Sequence, residues 1–341
     1  MKKLKILSLL AFAIVILFSC SGSEEAGVQS IKITLTETTL DVGDTAALTV
    51  VADDQMDVTS SAKIYVNGAE IQGSVFAAQS IGTFKIKATY DGVTSNEVSV
   101  SVEAIGPRFQ KNVVIEDYTG TWCGWCPRVA YGIEQAKAAT NFCIPIAAHT
   151  GDGMSNSYAS SLISGFSVTG YPTAYIDRDK KWNYPEPNNV SQITGLVAIN
   201  STVGVALESS LNGTSMELKV KVKFGKSITK KVKLVVLVLE DGIVEDQQNY
   251  TTYYGGKNVL TGFVHDHVLR HSLTNVMGDD IPTSETVKNN VYAKNFNVSV
   301  PSAVKDTSKM SFVVIVTDGA SKKAINARSI HVNASNDFVV K

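Results

Sequence analysis

The chain has 341 residues, 31 Lys and Arg against 32 Asp and Glu, and a formal net charge of -1. Without a basic excess it offers no electrostatic footprint for a nucleic-acid backbone, so nucleic acid is not an expected partner. The length exceeds what one hydrophobic core serves, and two or three domains are expected.

Lys2, Lys3 and Lys5 precede an apolar run from Ile6 to Phe18. A permanent membrane span needs about 20 apolar residues, whereas this run has the length of a signal-peptide core. Leu17-Phe18-Ser19-Cys20 follows and resembles a bacterial lipobox. The resemblance implies a lipoprotein signal over 1–20, a lipidated Cys20, and the membrane as a partner through that lipid. An ordinary secretory signal with a chance cysteine is the other reading. The tether over 21–27 carries Glu24 and Glu25. An acidic pair so close to Cys20 resembles the surface-export signal of Bacteroidetes lipoproteins, which implies outer-membrane attachment and leaves the leaflet open. No later segment is long and apolar enough to span a bilayer.

Residues 28–104 alternate apolar and polar side chains in short runs such as Ile31–Leu35, Ala47–Val51, Thr83–Tyr90 and Val98–Val102. Turn signals, among them Asn67-Gly68 and Asp91-Gly92, separate the runs, which predicts a small β-sandwich. The pattern resembles bacterial immunoglobulin-like domains, which implies a spacer or recognition module. After the linker Ile105-Gly106-Pro107 the periodicity changes. Val113-Val114-Ile115 reads as a strand buried on both faces. Cys126–Thr140 and Ser157–Phe166 read as helices, Cys143–Ala148 and Thr173–Ile176 as strands, and 189–200 as a last helix. This alternation predicts an α/β domain over 108–200. From about Thr202 long alternating runs return, including Met216–Val222 and Lys231–Leu239, and predict a second β-sandwich over 201–341.

The cysteines are Cys20, Cys123, Cys126 and Cys143. With Cys20 set aside, one close pair and one single remain, unlike the widely spaced framework of a disulfide-stapled domain. Trp122-Cys123-Gly124-Trp125-Cys126-Pro127 is the most specific signal in the chain. A pair spaced this way at a helix start suits redox chemistry, because the helix N-terminus stabilises a thiolate. Cys123 is expected to be exposed and to attack a partner disulfide, with Cys126 shielded and resolving the mixed disulfide. Zinc is the alternative, but structural zinc takes four ligands, and the nearest histidine is His149. A purely structural disulfide is the third reading. Cys143 reads as a core residue. His265, His267 and His271 would share one face of a single strand, a pattern that fits either a weak metal motif or structural histidines.

Val113 to Pro127 resembles the thioredoxin superfamily, and Gly170-Tyr171-Pro172-Thr173 resembles that family's cis-proline loop. The resemblance implies a Cys123–Cys126 disulfide, a cis Pro172 facing it, and substrate contacts from Tyr171, Trp122 and Trp125. It also implies a buried acid that handles the resolving cysteine's proton, either Glu116 or Asp117, since alternation turns only one inward. Glu116–Gly120, the cysteine motif, the proline loop and the histidine string together resemble the Bacteroidetes outer-membrane lipoprotein family related to the 28-kDa porphyromonad outer-membrane protein. The fold expected is therefore an immunoglobulin-like β-sandwich, a thioredoxin-like α/β domain and a C-terminal β-sandwich. The function expected is thiol–disulfide exchange with exported or surface proteins, without a cofactor and with the sandwiches meeting a protein or surface partner. A binding or adhesive lipoprotein is the alternative. Gly124-Trp125 between the cysteines leaves the direction of electron flow open.

Overall fold

A computed structural model describes residues 27–341 apart from Asp54; Cys20 and the signal segment lie outside the described residues. Among the described residues strands dominate, and only three α-helices occur. The chain forms two compact units, a smaller one that includes Ala46–Phe76 and Phe84–Val100, and a larger one that includes Ser101–Lys341.

In the smaller unit Ile31–Leu35 runs antiparallel to Thr45–Ala52, and Lys63–Val66 pairs with both Ala69–Ile71 and Gly82–Tyr90. Burial alternates along Thr45–Ala52, as a half-solvated strand requires. Ile33, Val50, Ile64, Phe76 and Ile86 fill the interior. Asn67 and Gly68 both take positive φ, 49° and 85°, which the tight hairpin turn between Val66 and Ala69 demands.

The larger unit is built on one nine-stranded mixed sheet. Its central strand, Val113–Thr119, is buried along its whole length. It runs parallel to Cys143–His149 and antiparallel to Thr173–Ile176. Side-chain parity then sorts its residues between two layers. Val113 and Ile115 pack with Val129 and Ala136 of the helix Pro127–Ala139 and with Ile193 of the helix Ser191–Val197. Val114 and Tyr118 point the other way, into a core with Ala159 and Leu162 of the helix Ser157–Gly165. Asn156 caps that last helix by accepting from the Tyr158 and Ala159 amides, as a capping asparagine does.

The sheet does not stop at the boundary expected near residue 200. The Ala147 N–H donates to the His267 carbonyl at 2.9 Å, and Cys143–His149 continues in parallel register into Val268–Ser272. The order then runs through Val232–Glu240 and Met310–Asp318 to Ala324–His331. Left open, the edge of Cys143–His149 would expose unpaired backbone groups beside a buried layer, which is costly. The later strands satisfy that edge. Val232–Glu240 and Met310–Asp318 are buried on both faces. Val235, Leu237, Val313 and Ile315 join the core of the helical layer. On the opposite face Leu234, Val236, Phe312 and Val314 pack with Leu218, Val220 and Val222 from a second sheet. That sheet, ordered Val291–Ser299, Ser215–Phe224, Val203–Asn212, Ser335–Asn336, completes a C-terminal β-sandwich.

Glu116 shares the parity of Val114 and Tyr118 and is fully buried. Arg178, equally buried, donates from Nε to Glu116 Oε1 at 2.9 Å, and the Tyr118 hydroxyl donates to Oε2 at 3.1 Å. Replacing Arg178 by Met removes the cation paired with a buried carboxylate, so unfolding in denaturant should show a loss of about 3–5 kcal/mol.

Candidate functional site

The central strand ends at Thr119, and a short turn carries the chain into the helix Pro127–Ala139. Cys126 is the N-cap residue and Pro127 begins the first turn, where a missing N–H costs nothing. Cys123 and Cys126 are joined by a disulfide, with their Cα atoms 5.4 Å apart. The Cys123 amide donates to the Gly120 carbonyl at 3.0 Å, and the Cys126 amide to the Cys123 carbonyl at 3.1 Å. These two bonds coil the turn so that the pair sits at the positive end of the helix, where a released thiolate is stabilised.

The Tyr171–Pro172 peptide bond is cis. Tyr171 meets Trp122 edge to face, with ring centroids 5.6 Å apart. The Trp122 indole N–H donates to the Thr150 carbonyl at 2.7 Å, which fixes the ring although it is half exposed. The proline loop and the cysteine turn, more than forty residues apart in the chain, therefore form one rim. Trp125, also half exposed, lies on the other side of the turn, edge-on to Tyr250 at 5.9 Å.

The two acids before the turn have separate fates. Glu116 is spent on Arg178 in the opposite layer and does not face the disulfide, which corrects its expected role as a proton carrier. Asp117 has the parity of Ile115 and lines a cavity of about 90 Å³ together with Cys126, His149, Gln247 and His265. It is buried, and its Oδ1 has no hydrogen-bond partner. Burial pushes its carboxyl up to about 8, Glu186 adds to the rise, and Arg128 opposes it. Arg128 is held by Glu186, with Nε donating to Oε2 at 2.5 Å, so little of its charge is left for Asp117.

Cys123 departs from expectation. It is only 4% exposed, and Cys126 2%. The hairpin Ile243–Gln248 with Val259–His265, from the C-terminal part of the chain, is fastened onto the cysteine turn. The Gln248 amide donates to the Thr121 carbonyl at 2.8 Å, and the Tyr250 amide to the Gly124 carbonyl at 2.6 Å. The buried Gln247 side chain donates from Nε2 to the carbonyls of Cys123 at 3.0 Å and Thr121 at 3.1 Å. Tyr253 stacks on Tyr131 of the helix at 4.4 Å, and the Tyr254 hydroxyl donates to Glu134 at 2.8 Å. Gly124 is required beneath this hairpin, because a Cβ there would lie 2.4 Å from the Tyr250 ring. Gln247 and Tyr250 carry no local signal that would have marked them, since they reach the site only through the fold.

The three closely spaced histidines do not share a face. His265 ends the hairpin, with its ring 5.3 Å from that of His149. His267, at φ 59°, bridges to Asp241 at 3.2 Å, and His271 lies against Tyr158 at 4.6 Å. The break between Val259–His265 and Val268–Ser272 separates them. Among the described residues no three His, Cys, Asp or Glu side chains are grouped to hold a metal ion. Cys143 is half-buried at the start of its strand, with its thiol pushed up by burial. His149 donates from Nδ1 to the Asp152 carboxylate at 2.7 Å, and Asp152 also accepts from the Thr121 amide at 2.9 Å.

A mostly β chain with a disulfide-bearing turn at the end of a mixed sheet is the class that fold and site define. Residues 159–336 match the family described as Outer membrane protein Omp28. The chain belongs to that family, and with it to the outer membrane. Among solved structures, HBP35 of Porphyromonas gingivalis is similar at 18% identity and a TM-score of 0.54, over 66% of this chain and 76% of that one. That similarity supports a shared fold. A domain of the outer membrane lipoprotein Omp28 from Porphyromonas gingivalis aligns at 18% identity over 39% of this chain and 89% of that one, with a TM-score of 0.26. Fibronectin(III)-like modules of Clostridium thermocellum CbhA align at 8% identity over 89% and 93%, with a TM-score of 0.29. Scores this low define no common fold for the last two. No curated protein matches the chain.

Two outcomes test this geometry. Gly124→Ala forces Tyr250 off the turn, and a hairpin loosened by ~1.4 kcal/mol opens about tenfold more often. Reduction of the disulfide by a small phosphine should accelerate by about that factor, as read by thiol labelling. Asp117 binds its proton more tightly folded than unfolded, so between about pH 4 and 8 the folded state holds the extra proton and stability falls as pH rises. Asp117→Asn should remove that slope, about 1.4 kcal/mol per pH unit at most, and gain most over wild type near pH 8 in unfolding titrations.

Proposed function

We propose that the chain is a thiol–disulfide oxidoreductase of the cell envelope that acts on thiols or disulfides of exported or cell-surface proteins. In this reading residues 108–200 are its thioredoxin-like part and a lipid on Cys20 tethers it to the membrane. The observation that carries the proposal is the convergence of three elements on one turn. The Cys123–Cys126 pair lies at a helix start, Tyr171 of the cis-proline loop packs on Trp122, and Asp117, with its Oδ1 unpaired, lines a cavity with Cys126.

A partner thiolate attacks Cys123 Sγ, the Cys123–Cys126 bond breaks, and Cys126 leaves as a thiolate that takes the proton of Asp117. A second partner thiolate then displaces Cys123, so two electrons pass from the partner dithiol, which becomes a disulfide. The reverse sequence oxidises the chain and reduces a partner disulfide. No cofactor takes part in either direction. The hairpin 243–265 must swing away before a partner sulfur reaches Cys123, since that residue is buried beneath it. The β-sandwiches serve as spacer and partner-recognition modules.

Burial of Cys123 also favours a second reading, a binding or adhesive surface protein whose disulfide braces the scaffold permanently. Cys126→Ser leaves the attacking thiol without its resolver and should trap exported partners as mixed disulfides in native envelopes, released by dithiothreitol. Absence of any such adduct supports the scaffold. With purified protein, insulin reduction should depend on Cys123, and equal rates for wild type and Cys123→Ser would sink the oxidoreductase.

A further inference from the structure

His265 ends the hairpin and lines the cavity beside Cys126, and nothing in the thiol exchange above uses it. It is buried, 6% exposed, and its Nε2 has no hydrogen-bond partner. The other ring nitrogen is left for the Glu245 backbone, against which the ring is hydrogen-bonded. Nε2 is then a lone-pair acceptor. A second orphan, Asp117 Oδ1, lines the same cavity as His265, and so does Cys126. Two buried polar atoms left unpaired each carry a cost that native interiors seldom tolerate. The cavity of about 90 Å³ has a largely apolar lining into which these polar groups are set, and it has room for water, which needs on the order of 10–15 Å³ per molecule.

We propose that His265 is a positioning residue for the Cys126 proton: its Nε2 holds a buried water that bridges to Asp117 Oδ1 and so keeps that carboxyl ready to exchange a proton with the Cys126 sulfur. The water serves both charge states. It accepts from the protonated carboxyl and donates to Nε2, or donates to the carboxylate and to Nε2 together. When Cys126 attacks a mixed disulfide on Cys123, its thiol proton passes to the Asp117 carboxylate, the Cys123–Cys126 bond forms, and the partner leaves as a thiolate. The water then stabilises the protonated carboxyl.

The surroundings keep the imidazole neutral for this task. Burial and the neighbouring His149 hold His265 down to about 4, against weaker opposing effects from Asp152 and Asp266. Glu134, Lys137 and His267 are the other titratable groups that face the cavity, from the helix Pro127–Ala139 and from the residue pair after the hairpin. Tyr254 and His267 engage Glu134 and Lys137 respectively, at 2.8 and 3.0 Å. Asp117 is thus the acid of the cavity whose Oδ1 awaits a partner.

This inference rests on the oxidoreductase reading, and one stopped-flow experiment separates the two. Fully reduced protein is mixed with 5,5′-dithiobis(2-nitrobenzoate). A first release of thionitrobenzoate reports attack by Cys123, and a second reports resolution by Cys126. In His265→Leu the second phase should slow about tenfold or more near pH 7 and its pH profile should move upward, with the first phase unchanged. His265→Gln keeps a buried acceptor and should stay within about threefold of wild type. An unchanged second phase in His265→Leu, or a His265→Gln variant as slow as His265→Leu, overturns the proposal. Should His265→Leu fail to fold, the wild-type second phase in deuterium oxide decides: a slowing supports the water relay, and equal rates in both solvents overturn it. Absence of any first phase in the wild type overturns the oxidoreductase reading itself, and this inference with it.

Discussion

The larger unit depends on a strand that has no solvent face. Val113–Thr119 is buried from end to end, so every side chain on it must be accommodated by one of two packed layers. Apolar residues do this by contact with the helices. The two acids cannot, and their answers differ because they point to opposite layers. Glu116 is paired with Arg178, and the pair is deep enough that neither partner could be left alone. Asp117 has only Arg128 to oppose its burial, a cation already engaged by Glu186, and responds by holding its proton. The same parity that gives one acid a structural task sets the other in the cavity beside Cys126.

The second constraint comes from the edge of that strand's parallel neighbour. Cys143–His149 needs a hydrogen-bonding partner, and Val268–Ser272 supplies it. Once that strand is docked, the hairpin immediately before it in the chain is delivered to the cysteine turn. Gln247 and Tyr250 therefore reach the cysteine turn, and His265 the cavity beside Cys126, as a consequence of sheet closure. The hairpin adds main-chain bonds to a turn that would otherwise be exposed, and it shelters a bond that thiols in the environment would attack. Reactivity and protection are set by one element, whose opening would have to precede any exchange.

The apolar strands Val232–Glu240 and Met310–Asp318 join the two halves of the unit. Each presents one row of side chains to the helical layer and another to the second sheet. The run Leu234-Val235-Val236-Leu237-Val238-Leu239 is continuous in apolar residues, which is the mark of burial on both faces rather than of a sandwich strand with one wet side. A strand with one wet side would belong to an independent C-terminal sandwich, with a boundary near residue 200. The second row needed a partner layer, and the partner was the α/β part of the chain.

Local chemistry was enough to mark the short strands and turns of the smaller unit and the strand-turn-helix around the cysteines, and family resemblance marked the proline loop, because each is written in adjacent residues. Period-two alternation marks strands, a close cysteine pair before a proline marks a helix start, and Asn67-Gly68 marks a turn. Alternation also dictated that Glu116 and Asp117 part company. Which of them faces Cys126 was decided by the packing of two layers around the central strand, and so was the burial of Cys123 by a hairpin more than a hundred residues away. Those outcomes depend on edges and faces that come together only after the sheet has closed, and no window of sequence contains them.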